Sequence, residues 1–134
     1  MIRQRAGDRE GIAEGGKDMR TKLDIALVRE GKLNLQGWAF GRDPETRVHY
    51  EVLGKDGKAA EGVIISSVRR DSVAEAFFPD YEKETGHPIR RELGFDIELP
   101  YTFGSGDSCT LLIEVDGRRR RFFLDDKRLE AFNS

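Results

Sequence analysis

The sequence predicts an all-β protein: an antiparallel, immunoglobulin-like β-sandwich of about seven strands with one short helix inserted between strands. Three observations predict it. Apolar residues recur at every second position over most of the chain, as in Leu23, Ile25 and Leu27 and in Cys109, Leu111, Ile113 and Val115, the period of half-buried strands. Turn residues punctuate these runs at short spacing, with no long helix between them. One stretch alone, around residues 71–78, changes to helical spacing.

The first 20 residues are rich in Gly, Arg, Asp and Glu with almost no apolar periodicity, so a flexible leader is expected over 1–20. The folded domain is expected over 21–126 and a short polar tail over 127–134. Within the domain, Leu23, Ile25 and Leu27 form the first strand. Glu30-Gly31-Lys32 turns the chain, and Leu33, Leu35 and Gly37 continue the alternation. Trp38 and Phe40 then fall on the opposite parity, and the glycine before that switch suggests a bulge or a close backbone approach. Arg42-Asp43-Pro44 is a loop, since proline punctuates strands. Val48, Tyr50 and Val52 alternate again. Lys55-Asp56-Gly57-Lys58 reads as a type I′ hairpin turn, with the β-branched run Val63 to Val68 as the returning strand.

Next comes Val68-Arg69-Arg70-Asp71-Ser72-Val73-Ala74-Glu75-Ala76-Phe77-Phe78-Pro79-Asp80. Asp71 or Ser72 is suited to cap a helix, and Glu75 complements its positive end. Val73, Ala76 and Phe77 share one face at i, i+3, i+4 spacing, so Val73 and Phe77 are expected to turn inward and cover one opening of the sandwich. Pro79 stops the helix. Asp80 to Arg91 follows as a polar loop. Phe95, Ile97 and Leu99 alternate, Pro100 to Asp107 is a loop, and Cys109 to Val115 turns at Asp116-Gly117 into Arg118 to Leu124.

Composition narrows the function classes. A chain of 134 residues forms one domain with a core of its own. A net charge of −2 gives no global field toward nucleic acid or membrane. The single cysteine, Cys109, excludes a disulfide framework and a multi-cysteine zinc site, and its apolar run marks it as a core residue. No apolar run reaches the roughly 20 residues that cross a bilayer. The N-terminus has positive charge but no apolar segment behind it, so a secretory signal is not expected and a cytoplasmic location is.

The order Gly37-Trp38, then Val68 to Phe77, then Gly94-Phe95-Asp96-Ile97 resembles a small β-sandwich accessory domain that accompanies bacterial glycosyltransferases of surface-polysaccharide synthesis. That family's pattern is Gly-Trp, then Val-x-Arg-x-Asp-Val-x-x-x-Phe, then Gly-Phe, then a paired-strand ending. The similarity spans roughly Leu33 to Leu124. This chain reads Arg70-Asp71-Ser72-Val73 where the family reads Arg-Pro-Asp-Val, so Asp71 takes the place of the proline and Ser72 that of the aspartate. The resemblance implies a non-catalytic module that holds glycan or a neighbouring transferase domain, with no catalytic residue and no cofactor.

The residues themselves offer few competing sites. Trp38, Phe77, Phe78 and Tyr81 are the aromatics for a sugar platform, because ring faces bury the apolar side of a pyranose. Against this, Trp38 and Phe77 read as plugs at the two ends of the sandwich core, which leaves Phe78 and Tyr81. Arg69 and Arg70, beside Asp71, Glu75 and Asp80, are suited to a carboxylate or phosphate. The competing reading is an intrachain pair that ties helix to loop. The candidate ligand-binding set is therefore Arg69, Arg70, Phe78, Asp80 and Tyr81. Arg118 to Arg121 is the densest basic run, but alternate strand residues point to opposite faces, and a charged, solvated edge strand explains it. His49 and His87 lack metal-site spacing, no nucleophile elbow frames a serine, and Gly104-Ser105-Gly106 lacks the lysine of a phosphate loop. Expected, then, is a non-enzymatic module with a glycan or a glycosyltransferase domain as partner. The alternative is a protein-interaction domain in which the helix and the loop 79–92 dock on another chain through Phe78 and Tyr81.

Overall fold

In the computed structural model, residues 19–133 are described. They form seven strands and three short helices: β1 (Met19–Arg29), β2 (Lys32–Gly41), β3 (His49–Leu53), β4 (Ile64–Val68), α1 (Asp71–Phe77), α2 (Tyr81–Thr85), β5 (Gly94–Pro100), β6 (Ser108–Val115), β7 (Arg118–Asp125) and α3 (Asp126–Phe132). The protein is mostly β, in two antiparallel sheets of order β1-β2-β5-β4 and β3-β6-β7. Their apolar faces share one core. Leu33, Leu35, Phe95 and Ile97 of the first sheet and Val52, Leu111 and Ile113 of the second are all buried in it. Among the described residues no helix is long and apolar enough to cross a membrane.

Only two expected hairpins form as such. Glu30-Gly31 and Asp116-Gly117 have φ of 53°, 77°, 55° and 74°, the paired positive values of a type I′ turn. They leave Arg29 opposite Lys32 and Val115 opposite Arg118. The hairpin expected at Asp56-Gly57 is corrected. Gly57 alone takes positive φ there. The chain folds back on β3 only as far as a Leu53–Ala59 bridge and an Ala60 N–H bond to the Val52 carbonyl. It then crosses to the other sheet, where β4 pairs with β5 while β3 pairs with β6. A turn signal sets a local reversal; the partner of the returning strand is set by which sheet buries it.

The close approach expected at Gly37 is present. A Cβ there would lie 2.0 Å from the Lys22 carbonyl oxygen and 2.9 Å from the Phe95 ring. The bulge lies across the ladder, in β1, where the register shifts between Leu23 and Ile25. Strand β2 keeps its alternation. Leu33, Leu35 and Ala39 face the main core, while Trp38 and Phe40 face outward with Asn34 and Gln36. The parity switch in the apolar pattern thus records a second cover on the outer face and no kink in the strand. Phe40, Val73, Ala74, Ile89 and Leu93 form that second core, with Trp38, Phe78 and Tyr81 against it.

Four further expectations are corrected. Trp38 and Phe77 do not plug opposite ends of the core; their rings lie 5.3 Å apart outside the four-stranded sheet. In α1 the buried residues are Val73 and Ala74, while Phe77 is 37% exposed, because Val73 and Ala74 pack with Phe40, Ile89 and Leu93 in the second core and Phe77 lies over the partly exposed Trp38 ring. The N-cap position is Arg70 with no side-chain cap bond; Asp71 is instead engaged by arginines. The expected loop 80–91 contains α2 and ends at buried Ile89 and Leu93.

The span expected as a tail, 127–134, is largely α3. Asp125 caps it by accepting from the Arg128 N–H, and Leu129 is 2% exposed in the main core. Of the expected leader, residues 1–18 lie outside the described residues, and Met19 and Arg20 already belong to β1. The Tyr101 hydroxyl lies 2.8 Å from Asp126 Oδ1 and 3.0 Å from the Asp107 carbonyl oxygen, joining the 101–107 loop to the start of α3. Burial first, and then these neighbours, push its pKa up. Tyr101→Phe should cost about 1–2 kcal/mol in urea unfolding, since it strands the partners of one partly buried hydrogen bond. A loss below about 0.3 kcal/mol would show that the hydroxyl contributes nothing net.

Candidate functional site

The residues singled out from the sequence divide into two groups. Arg69 Nε donates to Asp71 Oδ1 at 2.8 Å, and Arg91 Nη1 reaches the same oxygen at 3.3 Å and Glu75 Oε2 at 3.5 Å. Arg70 Nη1 lies 3.3 Å from Asp24 Oδ2, and Lys22 adds a second cation to Asp24 at 3.6 Å. The β1 bulge places Asp24 there. Arg70 also packs on the outer sheet: a Cβ on Gly94 would meet its Cγ at 2.7 Å. This flank is an intrachain ion-pair network. Most of its members are solvent-accessible, so each pair contributes only a few tenths of a kcal/mol.

Phe78 and Tyr81 belong to the second core. The Phe78 ring meets Phe40 edge-on at 5.0 Å. The half-buried Tyr81 has its phenol pushed up, by lost hydration first and then by the carboxylates of Asp43 and Glu45. Asp80 is exposed, and its carbonyl accepts the Glu84 N–H at the start of α2. The arginines and the two aromatics therefore have different partners. The aromatic surface that does reach outward is made of other residues. Trp38 stacks on Phe40 at 5.4 Å and 12°, Phe77 lies over both, and the Arg20 guanidinium sits 5.4 Å from the Phe77 ring centroid.

A second surface was not visible in the sequence. Beyond the second core, the outer face of the four-stranded sheet is uncovered and forms a concavity of about 760 Å³. Its floor is a relay of ordered side chains. Gln36 Nε2 donates to Asn34 Oδ1 at 2.7 Å, and Asn34 Nδ2 donates to Asp96 Oδ1 at 2.7 Å. Lys32 and Glu98 pair at 3.6 Å beside it. Ile25, Leu27 and Ile64 supply apolar walls. The one-way donation orients both amides, and by valence Gln36 still has a second N–H and its carbonyl oxygen to offer. A shallow polar floor between aliphatic walls suits a ligand with many hydroxyls and short apolar faces. The signal in the sequence was the pair Asn34 and Gln36 at outward positions of a central strand. Their acidic partners, some 62 residues away, are brought to them only by the β2–β5 ladder.

The remaining buried titratable groups are structural. Burial, and then Asp107, push the Cys109 thiol up to about 12, so it is protonated and unreactive at neutral pH. Tyr50 packs on Phe95 at 5.1 Å and is also pushed up by burial. Arg120 rests over Phe122 at 4.5 Å, with its pKa lowered by lost hydration. Comparison with known proteins finds no family model and no curated protein that matches this chain.

Proposed function

We propose that this protein is a non-catalytic, immunoglobulin-like β-sandwich module that binds carbohydrate, as an accessory to a glycosyltransferase. Two features support the fold part of the reading. The sheets have the orders β1-β2-β5-β4 and β3-β6-β7, the ABED and CFG orders of constant-type immunoglobulin domains. They also share one interior core. The glycosyltransferase setting rests on the resemblance at Gly37-Trp38, Val68 to Phe77 and Gly94-Phe95.

The observation that carries the binding reading is the concave outer face. Amides and carboxylates already held in one relay match saccharide hydroxyls at little further entropic cost, because their rotamers are set before the ligand arrives. The aliphatic walls of Ile25, Leu27 and Ile64 match the C–H faces of a sugar ring. The concavity carries both signs, Arg29 and Lys32 beside Glu30, Asp96 and Glu98, so it has no cationic excess to favour an anionic sugar, and a neutral saccharide is the ligand this reading takes.

Titration with neutral oligosaccharides, followed by the side-chain amide resonances of Asn34 and Gln36, tests this. The two amides should shift together, and Asp96→Ala should weaken binding about tenfold or more by removing the acceptor that orients the relay. Shifts confined to Phe78 and Tyr81 would move the site to the helix corner. No shift anywhere with any saccharide would sink the reading.

A further inference from the structure

Strands β1, β4, β3 and β7 are the four edges of the two sheets, and three of them carry a device that blocks further pairing. β1 is broken by the bulge at Asp24, carries Arg20 and Lys22, and has its Ala26 carbonyl taken by Asn133 Nδ2 at 2.8 Å. β3 is covered at its far end by the returning segment at Ala59 and Ala60. β7 carries four consecutive arginines. β4 has none of these. From Val63 to Val68 it contains no charge, no proline and no bulge. Ile64 and Ile65 point to opposite faces and are 59% and 44% exposed. Natural sheets protect such an edge unless something pairs with it.

We propose that β4 pairs antiparallel with β4 of a second copy of this chain, about a two-fold axis at Ser66, so that two four-stranded sheets become one continuous sheet. Self-pairing is favoured by the strand's own pattern. Register about Ser66 sets Ile64 opposite Val68 on the outer face and Ile65 opposite Ser67 on the inner face, with only the two small Ser66 side chains meeting at the axis. No like charges face each other within the strand, which antiparallel neighbours penalise. Beyond it, the same register sets Glu61 of each strand opposite Asp71 of the other with Arg69 on the diagonal, so Glu61 meets a cluster of four cations (Lys22, Arg69, Arg70 and Arg91) and three carboxylates (Asp24, Asp71 and Glu75). The contact is isologous and closes with two copies. A single five-residue strand pair is a small interface, so the association is concentration-dependent.

Sedimentation velocity on the full chain over a roughly hundredfold range of concentration tests it. The wild type should move from monomer to dimer mass. Ser67→Lys, at an exposed position, should weaken self-association about tenfold or more, and Ile64→Lys should do the same if the first variant folds poorly. Ser66→Cys should give a covalent dimer on mild oxidation, while Ser72→Cys, exposed but in α1, should not. A wild type that stays monomeric throughout overturns the proposal. So does a Ser67→Lys or Ile64→Lys variant that folds and still dimerises. Failure of Ser66→Cys to cross-link in a dimerising protein overturns the axis at Ser66.

Discussion

Gly37→Ala should destabilise the protein by about 3 kcal/mol or more, the upper end of what one added methyl does in a packed interior. The added Cβ would sit 2.0 Å from the Lys22 carbonyl oxygen. That oxygen is backbone in the adjacent strand, so it cannot move aside as a flexible side chain does. The β1–β2 ladder must open where the bulge already interrupts it. The Phe95 ring, 2.9 Å from the same position, closes the other direction because it is buried against Tyr50. A loss of this size is a large part of the 5–15 kcal/mol that holds a typical domain together. Gly54→Ala is the control, since its added methyl meets nothing nearer than Asp56 Oδ1 at 3.5 Å. Urea unfolding read by the single tryptophan, Trp38, measures both. A Gly37→Ala protein within about 0.5 kcal/mol of wild type would show that the β1–β2 ladder takes the methyl without opening.

Leu129→Ala should cost about 3 kcal/mol, within the 2–5 kcal/mol range for large-to-small changes in cores. Leu129 lies at the centre of α3 and is 2% exposed in the shared core. Truncating it leaves a cavity that neither sheet can close without moving the helix. Phe132→Ala, three residues on and 41% exposed, should cost under about 1 kcal/mol. The order matters more than either value: a C-terminal tail would give no loss at either position. Cys109 provides a second readout. Its thiol is buried and pushed up to about 12, so it should be alkylated only through unfolding, and faster in Leu129→Ala by the same free energy.

Why α3 was illegible in the sequence is plain from its residues. Asp126-Lys127-Arg128-Leu129-Glu130-Ala131-Phe132 has no apolar residue in its first three positions and only Leu129, Ala131 and Phe132 after them, too short a run for a helical stripe. Its stability comes from burial of Leu129 in the shared core, the Asp125 cap, the Tyr101–Asp126 contact and the Asn133 bond to β1, all tertiary or supplied by the neighbouring strand. The same limit applies to the candidate site. Arg69, Arg70, Phe78, Asp80 and Tyr81 drew attention because unusual residues are adjacent in sequence there. Asn34, Gln36, Asp96 and Glu98 did not, because each is an ordinary outward residue on its own strand. They become one surface only when β2 pairs with β5. Phe77 shows the reverse error: helical spacing put it inside, whereas the outer sheet face it lies on leaves it partly exposed.

By itself, the sequence determined the local structure. Period two placed the strands, Glu30-Gly31 and Asp116-Gly117 made the two tight hairpins, Gly37 marked the close approach, and the break in period at Asp71 located α1. These depend on each residue's own steric freedom and on neighbours within a few positions. The tertiary structure alone decided that β4 leaves β3 for β5, that the outer sheet face is covered at Trp38 and open at Asn34, and that Leu129 belongs to the core. Those outcomes depend on which apolar surfaces meet across long separations. Alternation along a strand says only that one face is buried, not what buries it.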